Sequence, residues 1–205
     1  QLVTQPYLLA VTASLNVKSL SELIAHAKAN PGKTTFGSAG SGSLTHLAAE
    51  LFKDQAQIDA LHVPYKGTGA VYPDLIGGRL QFAFVTIVSA LPHVRSNRLR
   101  ALAVSSARRA RAVPEIPTVA EAGLLGYVVT QWYAVLAPAR TPRAHITRLN
   151  KAFVDATGDP ELAAHLAADG AEASPSSPEQ LSEHLKSEQL KWSQIVERSG
   201  LRSLK

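Results

Sequence analysis

A run of glycine and serine residues is the part of this sequence best suited to bind a ligand. It occupies residues 38–43, between a predicted strand and a predicted helix. Glycine lets the backbone approach a ligand closely, and the free N–H groups and positive dipole end at a helix start favour an anion. The serines add hydroxyl donors. The same pattern also fits a glycine turn that is merely capped by Ser43, so the residues alone leave both interpretations open.

Two further predicted strands end in polar residues. Tyr65 and Lys66 follow an apolar strand and offer a hydroxyl and a cation, which suit a carboxylate or a phosphate. Thr86 ends the strand predicted at residues 80–86. Each position fits a solvated turn equally well. If the strands are parallel neighbours, the three loops meet at one edge of the sheet, where ligands of open α/β sheets bind.

Several kinds of catalytic and cofactor site lack their motifs. The chain has no cysteine, which excludes disulfides, thiolate metal sites and cysteine nucleophiles. No serine stands in a G-x-S-x-G elbow, and Gly32-Lys33-Thr34 is not preceded by the glycine that a phosphate-binding P-loop requires. The seven histidines lack metal-site spacing, and His46 alone is expected to lie next to the glycine run. We therefore predict no catalysis, no metal and no cofactor.

The composition predicts a globular chain with a substantial core. Of 205 residues, 45% are hydrophobic and 18% are charged, with a net charge of +5. The arginine-rich stretch at residues 95–111 has no interleaved aromatic residues, so it does not indicate nucleic-acid binding. No apolar run approaches the roughly 18 residues of a membrane-spanning helix. The sequence begins in a strand-like stretch at Gln1, which suggests a processed chain or a fragment.

The predicted elements indicate an α/β fold with a mainly parallel sheet. Strands alternate with helices between residues 34 and 104, the pattern of right-handed crossovers. The last third is predicted to be helical. Strands are expected at residues 34–38, 60–63, 80–86, 99–104 and 131–137, and helices after Ser19, Ser43, Thr141, Asp159 and Ser177.

The order of these motifs resembles one known family. The segments ELIAHAKANPGKTTFGSAGSGSLTHLAAELF, HVPYKGTGAVYPDLIGGRLQFAF, LPHVRSNRLRALAVSSARRA, VPEIPTVAEAG and APARTP are similar to the substrate-binding proteins of tripartite tricarboxylate transporters, the Bug family. The resemblance implies a two-lobed periplasmic binding-protein fold of type II, in which the chain crosses between the lobes twice. It further implies a periplasmic receptor, not an enzyme, that hands a small carboxylate to membrane subunits.

The resemblance also divides the chain and places the ligand. Residues 1–11 correspond to the first crossing strand, 12–128 to the second lobe, 129–137 to the return strand and 138–205 to carboxyl-terminal helices of the first lobe. Family members carry a further amino-terminal stretch, so the first lobe is expected to be incomplete. The implied ligand-binding residues are Ser38, Ala39, Gly40, Ser41, Gly42, Ser43, Tyr65, Lys66, Val85 and Thr86.

Two consequences follow from comparing this sequence with the family pattern. Many members carry Asp-Asn where this chain has Val85-Thr86. The missing aspartate would have been an acceptor for a ligand amino group, so its absence favours a plain organic acid. An incomplete first lobe is expected to leave Ile146, Phe153 and Trp192 exposed, which predicts a homodimer or poorly ordered helices. The competing hypothesis is a remnant that keeps the fold, binds no ligand and acts only as an interaction module.

Overall fold

The structure, a computed structural model, describes residues 1–201. The strands are β1 Val3–Thr12, β2 Thr34–Ser38, β3 Ala60–Pro64, β4 Phe82–Thr86, β5 Leu99–Val104, β6 Thr130–Tyr133 and β7 Glu172–Ala173. The α-helices are α1 Leu20–Ala29, α2 Leu44–Ala56, α3 Tyr72–Ile76, α4 Ile87–Arg95, α5 Arg143–Thr157, α6 Pro160–Ala168 and α7 Pro178–Arg198. A single 3₁₀ turn at Thr68–Val71 precedes α3.

The sheet runs in the order β3-β2-β4-β1-β5. β2 pairs in parallel with both β3 and β4, as the alternating pattern predicts. β1 runs antiparallel to β4 and to β5, so β5 points the same way as β4. The sheet is therefore mixed rather than purely parallel, because one reversed strand enters it from the opposite end.

β1 belongs to two groups of strands. Residues 7–12 pair with β4 and β5. Residues 3–6 pair with β6, and two of them also pair with β7. Residues 118–122 make one turn, and Thr118 is bridged to Val104. β1 thus connects the α/β part of the chain to the carboxyl-terminal elements.

Both faces of the sheet are covered. Tyr7, Leu9 and Val11 of β1 belong to one buried apolar cluster, with α1 and α2, and Leu8 and Ala10 belong to the other, with α3 and α4. Because neighbouring residues of a strand point to opposite faces, this division places helices on both sides of β1. The buried central strands explain the near-continuous apolar runs of the sequence.

Local sequence signals determine several helix starts. Ser43 caps α2 by accepting from the N–H of His46, and Ser177 forms a capping box with Gln180 at α7. Thr141 was expected to cap α5, and this prediction is wrong. The helix begins at Arg143 after Pro142, with no side-chain cap. The predicted strands at residues 34–38 and 99–104 have the expected bounds.

The strand expected at residues 131–137 ends early. β6 stops at Tyr133, where its pairing with Val3 of β1 ends. The apolar residues that follow, Val135 and Leu136, are exposed. Hydrophobicity alone predicted a longer strand, but a strand also needs a neighbour for its backbone groups.

The carboxyl-terminal helices are covered unequally. Trp192 packs against the main apolar cluster and Ile195 is part of it, so the expected exposure of Trp192 is wrong. Ile146 and Phe153 of α5 are half-buried and line an open groove of about 590 Å³ between α5 and α7. No helix among residues 1–201 combines the length and apolar character needed to cross a membrane.

Candidate functional site

Strand order brings the predicted loops together. β3, β2 and β4 are adjacent and parallel, so the segments that follow them leave the same edge of the sheet. Two backbone hydrogen bonds join two of these segments directly. The Tyr65 N–H donates to the Ser38 carbonyl at 3.1 Å, and the Gly67 N–H donates to the Ala39 carbonyl at 3.2 Å. Residues 38–43, which we call the glycine loop, and residues 65–67 therefore form one surface.

The glycine loop is a structured turn. Gly40 and Gly42 have φ angles of 131° and 76°, values that side-chain-bearing residues rarely adopt. The Ser43 hydroxyl donates to the Gly40 carbonyl at 2.7 Å, and Thr45 Oγ1 accepts from the Ala39 N–H at 2.9 Å. These contacts hold the loop in one shape before any ligand arrives.

The serine hydroxyls of the loop differ in their availability. Ser38 is completely buried, and its Oγ lies 3.2 Å from the Gly40 nitrogen and 2.6 Å from His62 Nε2. Ser43 is engaged in the cap and in its bond to Gly40. Both hydroxyls are thus used inside the loop, and their contact with a ligand stays a prediction. Ser41 is exposed, and its hydroxyl has no partner among residues 1–201.

Backbone N–H groups are the free donors of the glycine loop. The Ser41 N–H has no hydrogen-bond partner in the described part of the chain. Leu44 and Thr45 lie in the first turn of α2, where intrahelical acceptors are lacking, and neither donates to a described loop residue. The first turn of α2 contains no acidic side chain. An anion placed there would meet unpaired donors and the positive end of the helix dipole.

Tyr65 and Lys66 have separate roles. The Tyr65 hydroxyl donates to Asp74, which also pairs with Arg79. Burial, followed by this hydrogen bond to a carboxylate, raises the pKa of Tyr65 to about 12. The proton of this hydroxyl is already donated to Asp74, and a ligand contact of Tyr65 stays a prediction. Lys66 is exposed and forms no ion pair within residues 1–201, so its ammonium remains available.

The two residues at the end of β4 that were predicted to bind a ligand point to opposite faces of the sheet. Val85 is completely buried in the apolar cluster with α3 and α4, so its side chain offers no surface to a ligand, and a ligand contact at this position stays a prediction. Thr86 is half-buried and hydrogen-bonds to Ser89 in the first turn of α4. The strand-end position of Thr86 is thus the one that remains at the candidate site.

A tyrosine that sequence reasoning missed lies next to Thr86, and it binds a glutamine of β6. Tyr7 lies opposite Thr86 in the β1–β4 register, and its hydroxyl donates to Gln131 Oε1 of β6 at 2.6 Å. Opposite residues of an antiparallel pair share a face. Burial is the main cause that raises the pKa of Tyr7 to about 12, so this hydroxyl keeps its proton. The sequence offered two signals for these residues: Tyr7 begins an apolar run, and Gln131 lies in an aromatic strand.

Behind the glycine loop lie two stacked imidazoles. The rings of His46 on α2 and His62 on β3 have centroids 3.6 Å apart and planes inclined by 12°. His46 was predicted to lie next to the site, and it accepts from the Gly42 N–H through Nδ1 at 3.0 Å. His62 was not singled out. Burial, followed by the charge of His46, lowers the pKa of His62 to about 4.

The arginine-rich stretch is divided by β5. Arg98 and Arg100 lie at one end of the strand, and Arg100 donates to carbonyls of the segment before α1. Arg109 lies beyond the other end and pairs with Glu121. Within residues 1–201, no three His, Asp or Glu side chains come together in a way that could hold a metal ion.

Known proteins resemble this chain along its described length. The family model of the tripartite tricarboxylate transporter family receptor matches residues 1–201. A protein from the tcbD-tcbE intergenic region of Pseudomonas sp. (strain P51) is 37% identical over 194 residues, covering 94% of this chain and 58% of that relative. This chain therefore spans about three fifths of the length of such relatives.

Three solved structures share the fold. R. palustris Rpa4515 with adipate has 33% identity and a TM-score of 0.84, covering 97% of this chain and 67% of that one. The periplasmic binding protein BugD has 26% identity and a TM-score of 0.80, with 98% and 68% coverage. MatC (Rpa3494) from Rhodopseudomonas palustris with bound malate has 28% identity and a TM-score of 0.77, with 95% and 67% coverage.

Proposed function

We propose that this chain, which belongs to the tripartite tricarboxylate transporter receptor family, binds a small organic carboxylate at the glycine loop. The members of this family are solute receptors rather than enzymes. The chain shares their periplasmic binding-protein fold. Two similar structures hold adipate and malate, both plain dicarboxylates.

One observation carries the proposal. Three N–H groups at the start of the 13-residue helix α2 donate to no described loop residue, namely those of Ser41, Leu44 and Thr45. The turn that carries them is already ordered by internal hydrogen bonds. A carboxylate oxygen can accept hydrogen bonds from these groups without any rearrangement of the loop. Hydrogen bonds to a charged acceptor are stronger than those between neutral groups. The exposed Lys66 ammonium adds a cation beside the same loop.

The ligand is proposed to lack an amino group. An ammonium group needs a carboxylate acceptor, and β4 ends in Val85-Thr86 with none. The nearest carboxylate described on the adjoining segment, Asp74, is already engaged by Tyr65 and Arg79. Succinate should therefore bind better than aspartate, which has the same skeleton with an added ammonium.

Transport is the proposed context. By analogy with its family, the chain would act in the periplasm and deliver the acid to membrane subunits of a transporter. We assign residues 1–11 and 129–137 to two crossings between lobes, a division supported by the pairing of β1 with β6. Residues 12–128 form the second lobe in this proposal. Residues 138–205 belong to the first lobe, the last four of them outside the described part of the chain.

Calorimetric titration tests the proposal. Adipate, malate and citrate would be titrated into the chain, with succinate and aspartate as a matched pair. Saturable binding of at least one plain acid, with aspartate weaker than succinate, would support a carboxylate receptor. If every acid is inert while circular dichroism reports an intact fold, the non-binding remnant becomes the better hypothesis.

A further inference from the structure

The stacked imidazoles are part of the support of the glycine loop. His46 is 1% exposed, and Phe36 of β2 stacks on His62 with centroids 5.0 Å apart. His46 therefore has no exposed edge for a direct ligand contact, whereas His62 is half-buried. Both rings nevertheless hydrogen-bond to the loop, which separates them from ordinary core residues.

Each ring holds a different part of the loop. His46 Nδ1 accepts the Gly42 N–H at 3.0 Å, and His62 Nε2 lies 2.6 Å from Ser38 Oγ. Ser38 Oγ in turn accepts from the Gly40 N–H at 3.2 Å. The two glycines with positive φ are thus each connected to an imidazole, Gly42 directly and Gly40 through one hydroxyl.

The hydrogen bond from Gly42 determines the tautomer of His46 when the ring is neutral. Because Nδ1 accepts a hydrogen bond, the proton of the neutral ring is on Nε2, which lies 3.6 Å from Glu50 Oε1. Burial would raise the pKa of Glu50, but its interactions with His46 and Lys53 lower it below its usual value. Lys53 binds Glu50 at 2.9 Å. His62, Glu50 and Lys53 are the titratable groups that face His46.

We propose that His46 and His62 are positioning residues that hold the glycine loop in its ligand-binding shape, His46 by accepting the Gly42 N–H and His62 by binding Ser38. This inference rests on the proposed function for its effect on affinity. Two imidazolium rings stacked this closely would repel, which disfavours a charge on both rings at once. The low pKa of His62 is consistent with a ring that stays neutral near pH 7.

Three substitutions at one position separate positioning from packing. His46→Asn places an amide oxygen near the former Nδ1 and keeps an acceptor for Gly42. His46→Phe keeps a ring for stacking but removes the acceptor. His46→Gln reaches toward Glu50 instead and also removes the acceptor. His26→Leu, on α1 and away from the loop, controls for the loss of a histidine.

The first measurement is hydrogen exchange of the Gly42 amide in the ligand-free chain, and the second is the affinity for adipate. We expect the wild type and His46→Asn to protect Gly42 alike, and His46→Phe and His46→Gln to exchange at least about tenfold faster. Adipate affinity should fall about three- to tenfold without the acceptor, the value of one net hydrogen bond, and stay within about twofold in His46→Asn.

The outcomes distinguish this inference from the proposed function. Unchanged Gly42 protection in His46→Phe and His46→Gln would overturn the positioning role, as would an asparagine variant that behaves like them. If His46→Phe does not fold, His46→Gln gives the same comparison. A wild-type chain that binds none of the plain acids of the panel would count against the proposed function, while the Gly42 exchange would still decide the positioning role.

Discussion

Replacing Leu44 by proline should weaken carboxylate binding without loosening the helix that Leu44 begins. Leu44 is the first residue of α2, where a backbone N–H has no intrahelical acceptor and proline is well tolerated. The preceding residue, Ser43, has φ −65° and ψ 158°, within the region that a following proline requires. The substitution therefore removes one proposed ligand donor and little else from the backbone.

The magnitude follows from the kind of bond that is lost. A hydrogen bond to a charged group contributes about 1.5–3 kcal/mol, which corresponds to a decrease in affinity of roughly 10- to 100-fold. The Leu44 side chain also packs against the main apolar cluster, and its loss must be separated from that of the donor. Leu44→Ala provides this control, since it shortens the side chain and keeps the N–H.

The assay is calorimetric titration of both variants with the best plain acid of the panel, alongside their thermal unfolding midpoints. We expect Leu44→Ala to bind nearly as well as the wild type and Leu44→Pro to bind at least tenfold more weakly, at similar unfolding temperatures. Equal affinities of the two variants would refute the assignment of this N–H to the ligand. The carboxylate would then have to be held elsewhere.

Further predictions concern stability and association. Ser38→Ala should lower the free energy of unfolding by about 1–3 kcal/mol in urea titrations, because it leaves the Gly40 N–H unpaired in a buried site. Gly37→Ala should lower the free energy of unfolding by a similar amount, about 1–3 kcal/mol, because its Cβ would lie 2.7 Å from the buried Leu80 and Val71 side chains. An unchanged urea midpoint would contradict this overpacking. The pKa of His62 falls from 6.5 in the unfolded chain to about 4 in the folded chain, so only the unfolded chain binds this proton between those values. The free energy of unfolding should therefore fall as the pH is lowered from 6.5 to 4. His62→Phe should flatten this part of the pH profile. The homodimer stays a prediction, which a strictly monomeric mass in light scattering would contradict.

The sequence by itself determined much of the local structure. The sequence pattern predicted β2 and β5 with their observed bounds, and Ser43 and Ser177 marked the starts of α2 and α7. These features depend on residues within a few positions of one another, so they can be recognised without knowing the fold. The same locality identified the glycine loop, whose glycines and serines form one continuous segment.

Only the tertiary structure decided how those residues are used. Ser38 and Tyr65 were predicted to bind a ligand. Strand order places His62 beside Ser38, and helix α3 places Asp74 beside Tyr65, so each hydroxyl has a protein partner. The juxtaposition of Tyr7 and Gln131 also comes from strands about 120 residues apart in the chain. Hydrogen-bond partners of buried polar groups are assigned by the whole fold, because each such group must be paired once water is excluded. The spacing of residues along the chain therefore locates the loop, and the packing of distant strands against it determines which of its donors remain free for a ligand.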